Sequence, residues 1–239
     1  MEIIITFEKD RITLPIASNE VIQGLIYHAI GVDNKYSTQV HDGGNTFDGR
    51  NYKLFTFGEL KGKYEVQGKT ITYLSSVTLK IRANDSYFIK LLYFYFTRNS
   101  NVRLGNNIVT VKEVNISDYH ITENQIEIRT LSPITIYATN DEGKTTYYTP
   151  NDKEFYQLII NNAYRKYQSC VGEKEDLTLE IFTLPTQKYV KRATSFKSTY
   201  ITAYHGSFIL KGTPELLDFL YHTGLGSKNS QGFGMFQIR

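Results

Sequence analysis

Residues 2–8, Glu-Ile-Ile-Ile-Thr-Phe-Glu, alternate and are rich in β-branched side chains, a pattern that predicts a first strand. From Asn19 the apolar positions switch to spacings of three and four. Val21, Leu25, Tyr27 or His28, and Ile30 then share one stripe, so a helix is expected. Residues 53–57 read as extended, and 64–82 as two further strands broken near Gly68. Asn84-Asp85-Ser86 supplies side-chain oxygens that can accept from the free N–H groups of a first helical turn. The run 87–97 behind it predicts a second helix, and 107–116 returns to strand.

The same order then recurs. Residues 126–139 are strand-like, with Ser132-Pro133 marking an edge or bulge because Pro cannot donate to a ladder. A short strand is expected around Tyr147. Asn151-Asp152 opens a helix whose apolar side includes Phe155, Leu158, Ile159 and Ala163. Strands follow over 177–182 and 200–211. Thr213-Pro214-Glu215 joins a capping residue to a Pro whose fixed φ suits a first helical position. That helix runs to about Thr223 and stops at Gly224. Each half therefore reads β-α-β-β-α-β, the ferredoxin-like order. The expected fold is α+β, two tandem ferredoxin-like domains over 1–120 and 121–239. Their boundary falls in the polar stretch between Ser117 and Gln125.

The last helix leads into Gly224-Leu225-Gly226-Ser227-Lys228-Asn229-Ser230-Gln231-Gly232-Phe233-Gly234. Four glycines allow positive φ and close approach of another backbone or a phosphate. Unpaired N–H groups in such a loop make an anion-binding concavity. Only Met235 to Arg239 follow, enough for a strand but not for the helix that a Rossmann or P-loop motif requires. A mononucleotide site is therefore disfavoured and a polyanion favoured.

Composition adds little except its aromatics: nineteen Tyr and fourteen Phe without Trp suit sheet packing or stacking on bases. Cys170 is the only cysteine, which excludes a disulfide framework and a cysteine zinc site. The acidic start lacks a signal-peptide pattern, and no apolar run approaches the ~20 residues needed to span a bilayer. A cytoplasmic protein without a membrane partner is expected. The net charge of +3 neither requires nor excludes nucleic acid. Its distribution says more. Residues 181–214 contain no Asp or Glu but include Lys188, Lys191, Arg192 and Lys197, interleaved with Tyr189, Phe196, Tyr200 and Tyr204. Cations for a backbone and π faces for unstacked bases suit RNA; a solvated hairpin that lacks acids is the plainer alternative.

Five histidines are present, but no His-Glu-x-x-His and no clustered carboxylates. His41-Asp42 matches the paired ligands of a metal-dependent phosphohydrolase, without a second histidine on a matching helix. Gly-x-Ser-x-Gly is absent, so the nucleophile elbow of a serine hydrolase is missing. Metal-free acid–base chemistry remains, and it suffices for RNA, which carries its own nucleophile in the 2′-hydroxyl. A His, a Tyr and a Lys can move the protons and steady the crowded phosphorane.

Gln23-Gly24-Leu25-Ile26-Tyr27 on the first helix, His41 after it, and Tyr52-Lys53-Leu54-Phe55-Thr56 entering a strand resemble one known family. It is that of the CRISPR-associated endoribonucleases that cut precursor CRISPR RNA within its repeats, the Cas-six family of the RAMP superfamily. The Gly224–Gly234 loop is similar to that superfamily's glycine-rich signature, and Leu131-Ser132-Pro133-Ile134 and residues 152–156 also fit. The resemblance covers nearly the whole chain. It implies a metal-independent cut, without a cofactor, that leaves a 5′-hydroxyl and a 2′,3′-cyclic phosphate. By position Tyr27, His41 and Lys53 match the family's catalytic triad, with His41 as general acid–base and Lys53 as phosphorane stabiliser. Tyr27 is either the base or the group that orients the 2′-hydroxyl. Repeat RNA would bind Lys188, Lys191, Arg192 and Lys197 together with Gly224, Gly226, Lys228, Asn229, Gly232 and Gly234 of the loop. The segment after His41, Asp42 to Arg50, is longer and richer in Gly and acid than the family pattern. A non-catalytic RNA-binding subunit of a CRISPR effector complex is the alternative. Effector subunits and a second copy of the chain stay open as partners.

Overall fold

A computed structural model of the chain describes residues 1–184 and 188–239 and is an α+β structure. Strand β1 (Glu2–Glu8) is followed by helix α1 (Asn19–Ile30), β2 (Phe55–Phe57), β3 (Val77–Ala83), helix α2 (Ser86–Arg98) and β4 (Asn107–Ser117). They form an antiparallel sheet in the order β2-β3-β1-β4, with Asn101–Leu104 added beyond β4. Ile3 pairs with Ile81 and Ile116, and Ile5 with Leu79 and Val114. The pleat thus turns Ile3, Ile5 and Phe7 into the core. Helix α1 covers them with Ile22, Leu25, Ile26, Ala29 and Ile30, and α2 with Phe88, Ile89, Leu92 and Phe96. Asp85 accepts from the Tyr87 N–H at 2.8 Å, capping α2 as the sequence predicts.

The second half runs β5 (Gln125–Thr130), α3 (Lys153–Val171), β6 (Leu179–Thr183), β7 (Ser207–Gly212), α4 (Pro214–Thr223) and β8 (Phe236–Ile238). Its sheet order is β6-β7-β5-β8, again antiparallel. Counted within its own half, each sheet has the strand order 2-3-1-4. A second core gathers Ile128, Phe155, Ile159, Phe208, Leu216 and Phe236. Residues 118–124, between the sheets, form neither helix nor strand.

Several boundaries differ from expectation. Residues 64–82 hold three strands, Tyr64–Gln67, Thr70–Tyr73 and β3; the first two leave the main sheet, Thr70–Tyr73 pairing with both Tyr64–Gln67 and Ile12–Pro15. The expected strand 200–211 breaks at Gly206, where a Cβ would sit 2.5 Å from the Tyr189 ring. Thr199–His205 instead pairs with Val190–Phe196 as a hairpin, and β7 joins the main sheet. Likewise 126–139 splits into β5 and Tyr137–Thr139, which pairs with Thr145–Tyr147. Thr213 does not cap α4 with its hydroxyl, which accepts from the Thr178 N–H at 2.8 Å and ties the helix start to the chain entering β6.

The halves are locked by Arg82, which is 2 % exposed. Its Nε donates to Glu2 Oε2 at 2.7 Å, Nη1 donates to the Phe236 carbonyl at 2.5 Å, and the guanidinium lies 3.6 Å from the Tyr221 ring centroid. A buried cation is tolerable because its carboxylate and carbonyl partners offset lost hydration. Among the described residues no helix is long and apolar enough to cross a membrane.

Candidate active site

Tyr27, His41 and Lys53 come together although 26 positions separate the first from the last. The Tyr27 and His41 rings meet edge to face, centroids 5.0 Å apart. Lys53 Nζ lies 5.5 Å from the Tyr27 centroid and donates to the His41 carbonyl. Tyr27 is on α1, half-buried against the first core. His41 does not sit on an open loop, as the sequence suggested. It belongs to Gln39–Gly43, a wider-wound continuation of the short helix Asn34–Thr38, closed by Gly44 N–H donating to the Gln39 carbonyl at 2.9 Å. Asp33 caps that helix, accepting from the Tyr36 N–H at 3.0 Å, and also accepts from the Tyr87 hydroxyl at 2.9 Å. Tyr36 in turn donates to Asp85 at 2.5 Å.

The unusual segment after His41 explains how Lys53 returns to it. Gly44 has φ +65°, and a Cβ there would stand 2.6 Å from the Tyr52 carbonyl. Asp48 and Gly49, both at positive φ, close a hairpin between Asn45–Phe47 and Arg50–Tyr52. The chain therefore reverses and delivers Lys53 beside His41. Asn45 Nδ2 donates to the Ser169 carbonyl at 3.0 Å, so the hairpin also rests on α3.

Burial, reinforced by the Asp42 charge, pushes the Tyr27 phenol well above its usual range. Its hydroxyl oxygen is buried and has no hydrogen-bond partner among the described residues. Burial lowers Lys53, with the Lys197 charge adding to the shift and the Asp42 charge opposing it. His41 Nδ1 and Asp42 Oδ1 are 2.6 Å apart.

The trio lines a cavity of about 910 Å³ between the two halves. Its other walls come from the 50–53 turn, α3, the tip of the 190–205 hairpin and the glycine loop. Every charged side chain of its lining is cationic: Arg50, Lys53, Arg165, Lys166, Lys197 and Lys228. Low-dielectric walls focus the field of such a set on an anionic ligand.

A match to the family model of the CRISPR-associated protein Cas6, C-terminal part, spans residues 111–238, more than half of the chain. The chain belongs to the Cas6 family. It is 29 % identical over 240 residues to the CRISPR-associated endoribonuclease Cas6 of Pyrococcus furiosus, covering 97 % of this chain and 86 % of the relative. Two solved structures share its fold. A Cas6-related protein of Pyrococcus furiosus has TM-score 0.86 at 22 % identity, covering 100 % of this chain and 98 % of the other. A RAMP protein described as binding different RNA substrates has TM-score 0.83 at 20 % identity, covering 100 % and 99 %.

The other sequence-predicted contacts of this Cas6-family chain divide between surfaces. Lys197, Gly226, Lys228 and Asn229 line the same cavity as the trio. Lys188 and Arg192 line a different one, of about 750 Å³, with Lys61, Arg129, Arg239 and Glu59. Arg192 lies 3.8 Å from Glu59. Lys191 is exposed on its strand and lines neither. Arg50, Arg165 and Lys166 escaped the sequence reading. Lys166 alone left a signal there, falling on the stripe Phe155, Ile159, Ala163 where a core residue belongs. The group of three metal-ligand side chains among the described residues, His120, Asp218 and His222, lies outside the cavity lining, and His41-Asp42 is not part of it.

The glycine loop serves its own shape first. Gly224, Gly226, Gly232 and Gly234 all take positive φ and are buried. Cβ atoms on them would meet Asn229 Nδ2 at 2.8 Å, the Thr135 carbonyl at 2.7 Å, the Phe57 ring at 2.4 Å and the Leu225 carbonyl at 1.9 Å. The expected close approach is thus to protein. The Leu225, Ser227 and Gly234 N–H groups donate to the Gly234, Thr135 and Pro133 carbonyls, so these three are not left for an anion. Asn229 is also buried, its Nδ2 donating to the Leu225 and Phe233 carbonyls at 3.0 Å each. Gly226 and residues 227–231 face the cavity. Gly234→Ala is expected to destabilise the protein by about 1–3 kcal/mol, from the φ penalty and the displaced carbonyl, as read from a denaturant midpoint.

Proposed function

We propose that this chain is a metal-independent endoribonuclease that cleaves precursor CRISPR RNA within its repeats. The observation that carries this reading is the convergence of Tyr27, His41 and Lys53 in a cavity whose charged lining is wholly cationic. RNA brings the nucleophile. The bond from the 2′-oxygen to phosphorus forms while the bond from phosphorus to the 5′-oxygen breaks. A proton leaves the 2′-hydroxyl and one arrives at the 5′-oxygen. The products carry a 2′,3′-cyclic phosphate and a 5′-hydroxyl. His41 is the proton-transfer group. Lys53 places its ammonium against the phosphorane. Tyr27, whose phenol burial pushes well above its usual range, is assigned the hydrogen bond that orients the 2′-oxygen.

The antiparallel 2-3-1-4 order of both sheets supports reading the halves as two ferredoxin-like domains, 1–120 and 121–239, with the RNA between them. Arg50, Arg165, Lys197 and Lys228 would hold its phosphates. The test is cleavage of the cognate repeat RNA in excess EDTA. An unchanged rate and a cyclic-phosphate terminus support the reading, whereas activity that returns only with a divalent cation overturns it.

A further inference from the structure

We infer that Asp42 is a positioning residue for the reaction, holding His41 Nδ1 so that Nε2 is the atom presented to RNA. The inference rests on the assignment of His41 as the proton-transfer group. An imidazole has two nitrogens, and the partner of one decides which proton state the other offers. Here Nδ1 is 2.6 Å from Asp42 Oδ1. A carboxylate only accepts, so Nδ1 must be the donor, and the neutral ring keeps its lone pair on Nε2. His41 lines the cavity, whereas Asp42 is 68 % exposed outside that lining.

The backbone fixes this pair. Asp42 follows His41 within the wide-wound turn that Gly44 closes, and Lys53 anchors the His41 carbonyl from the other side. Asp42 also faces the rest of the trio electrostatically. Its charge favours the protonated form of both Tyr27 on α1 and Lys53 on the hairpin end, against Lys197 from the hairpin tip, which disfavours a charged Lys53. The Asp42 carboxylate thus adds to the burial that favours the Tyr27 phenol, partly offsets the burial that disfavours the Lys53 ammonium, and bonds the His41 ring. The acid-rich departure of this segment from the family pattern acquires a use. The His-Asp pair, which in the sequence suggested a metal site, works through its hydrogen bond.

Asp42→Asn decides the matter, because the amide can donate to Nδ1 and favour the opposite tautomer. Single-turnover cleavage is expected to slow by about 10- to 100-fold with RNA affinity unchanged. Ring-nitrogen NMR of His41 in the free protein should change from Nδ1-protonated to a mixture with the Nε2-protonated form. Asp42→Ala should slow cleavage as well. The inference is overturned if His41→Ala stops cleavage while Asp42→Asn cuts at the wild-type rate, or if Asp42→Asn changes affinity alone. Wild-type cleavage by His41→Ala would instead remove the assignment on which the inference rests.

Discussion

Cleavage is expected to stop when the 2′-hydroxyl at the cut position is replaced by hydrogen, and to slow about 10²–10⁴-fold in His41→Ala, with RNA affinity preserved in both. Deoxy substitution removes the nucleophile itself. His41→Ala removes one positioned acid–base group, and such groups typically contribute that range. Affinity should survive because the other cations lining the cavity, proposed to hold the phosphates, belong to other elements: the 50–53 turn, α3, the hairpin tip and the glycine loop. The fold should survive too. The His41 side chain is 56 % exposed, and the bond it shares with Lys53 uses its backbone carbonyl, which alanine retains. Lys53→Ala is a different experiment, since it deletes both the cation proposed for the phosphorane and that anchor. Single-turnover rates and filter-binding affinities on the same RNA separate chemistry from binding. Wild-type-rate cutting by His41→Ala would remove the assignment. Tight binding without cutting by the unmodified protein would favour the RNA-binding subunit.

The elements legible in the sequence were those with a strong period and a cap. Helices α1 and α2 and strand β1 carry enough apolar positions for the pattern to decide alone, and Asp85 caps where it was expected. What escaped was set by tertiary partners. Residues 200–211 form a continuous extended run, yet Tyr189 fills the space at Gly206 and the two parts enter different sheets. Thr213 looked like a cap, but its hydroxyl found Thr178 instead. The trio was legible as residue types and not as geometry. Nothing in Gly43-Gly44 or Asp48-Gly49 announces that the chain reverses onto His41, because that depends on a carbonyl of Tyr52. The glycine loop was read as space for phosphate, whereas its glycines make room for Phe57, Leu225, Thr135 and Asn229. Charge patterning was the weakest guide: of five cations in the acid-free segment, Lys197 reaches the cavity of the trio. Sequence order along a hairpin does not say which end meets which surface.

Stability is expected to rise with pH between about 7 and 9.5, by about 3 kcal/mol, and Lys166→Met should lose most of that rise. Lys166 is 2 % exposed, at the point where α3 passes under the glycine loop. Its ammonium donates to Asn229 Oδ1 at 2.9 Å and to the Gly224 and Thr223 carbonyls, so its three donors meet three acceptors. None of the acceptors is a carboxylate. Hydrogen bonding is satisfied while the charge stays uncompensated, and burial lowers the pKa to about 7. In the unfolded chain the same amine titrates near its ordinary 10.5. Between those values the unfolded state binds more protons, so raising the pH favours the folded state; below about 7 both states are charged and the slope vanishes. The window is best closed near 9.5. Buried tyrosines with raised values, such as Tyr27 and Tyr73, pull the other way once unfolded phenols ionise near 10. Urea midpoints of both proteins at pH 7, 8.5 and 9.5 provide the comparison. Methionine keeps an apolar stem of similar length but leaves three acceptors without that donor, so the variant starts less stable at pH 9.5, and its flatter pH profile is the diagnostic feature. An unchanged slope in Lys166→Met would show that the amine under the loop does not carry the titration. A flattened one would make the loop that lines the cavity sensitive to pH near neutrality, where the proton on Lys166 is exchanged.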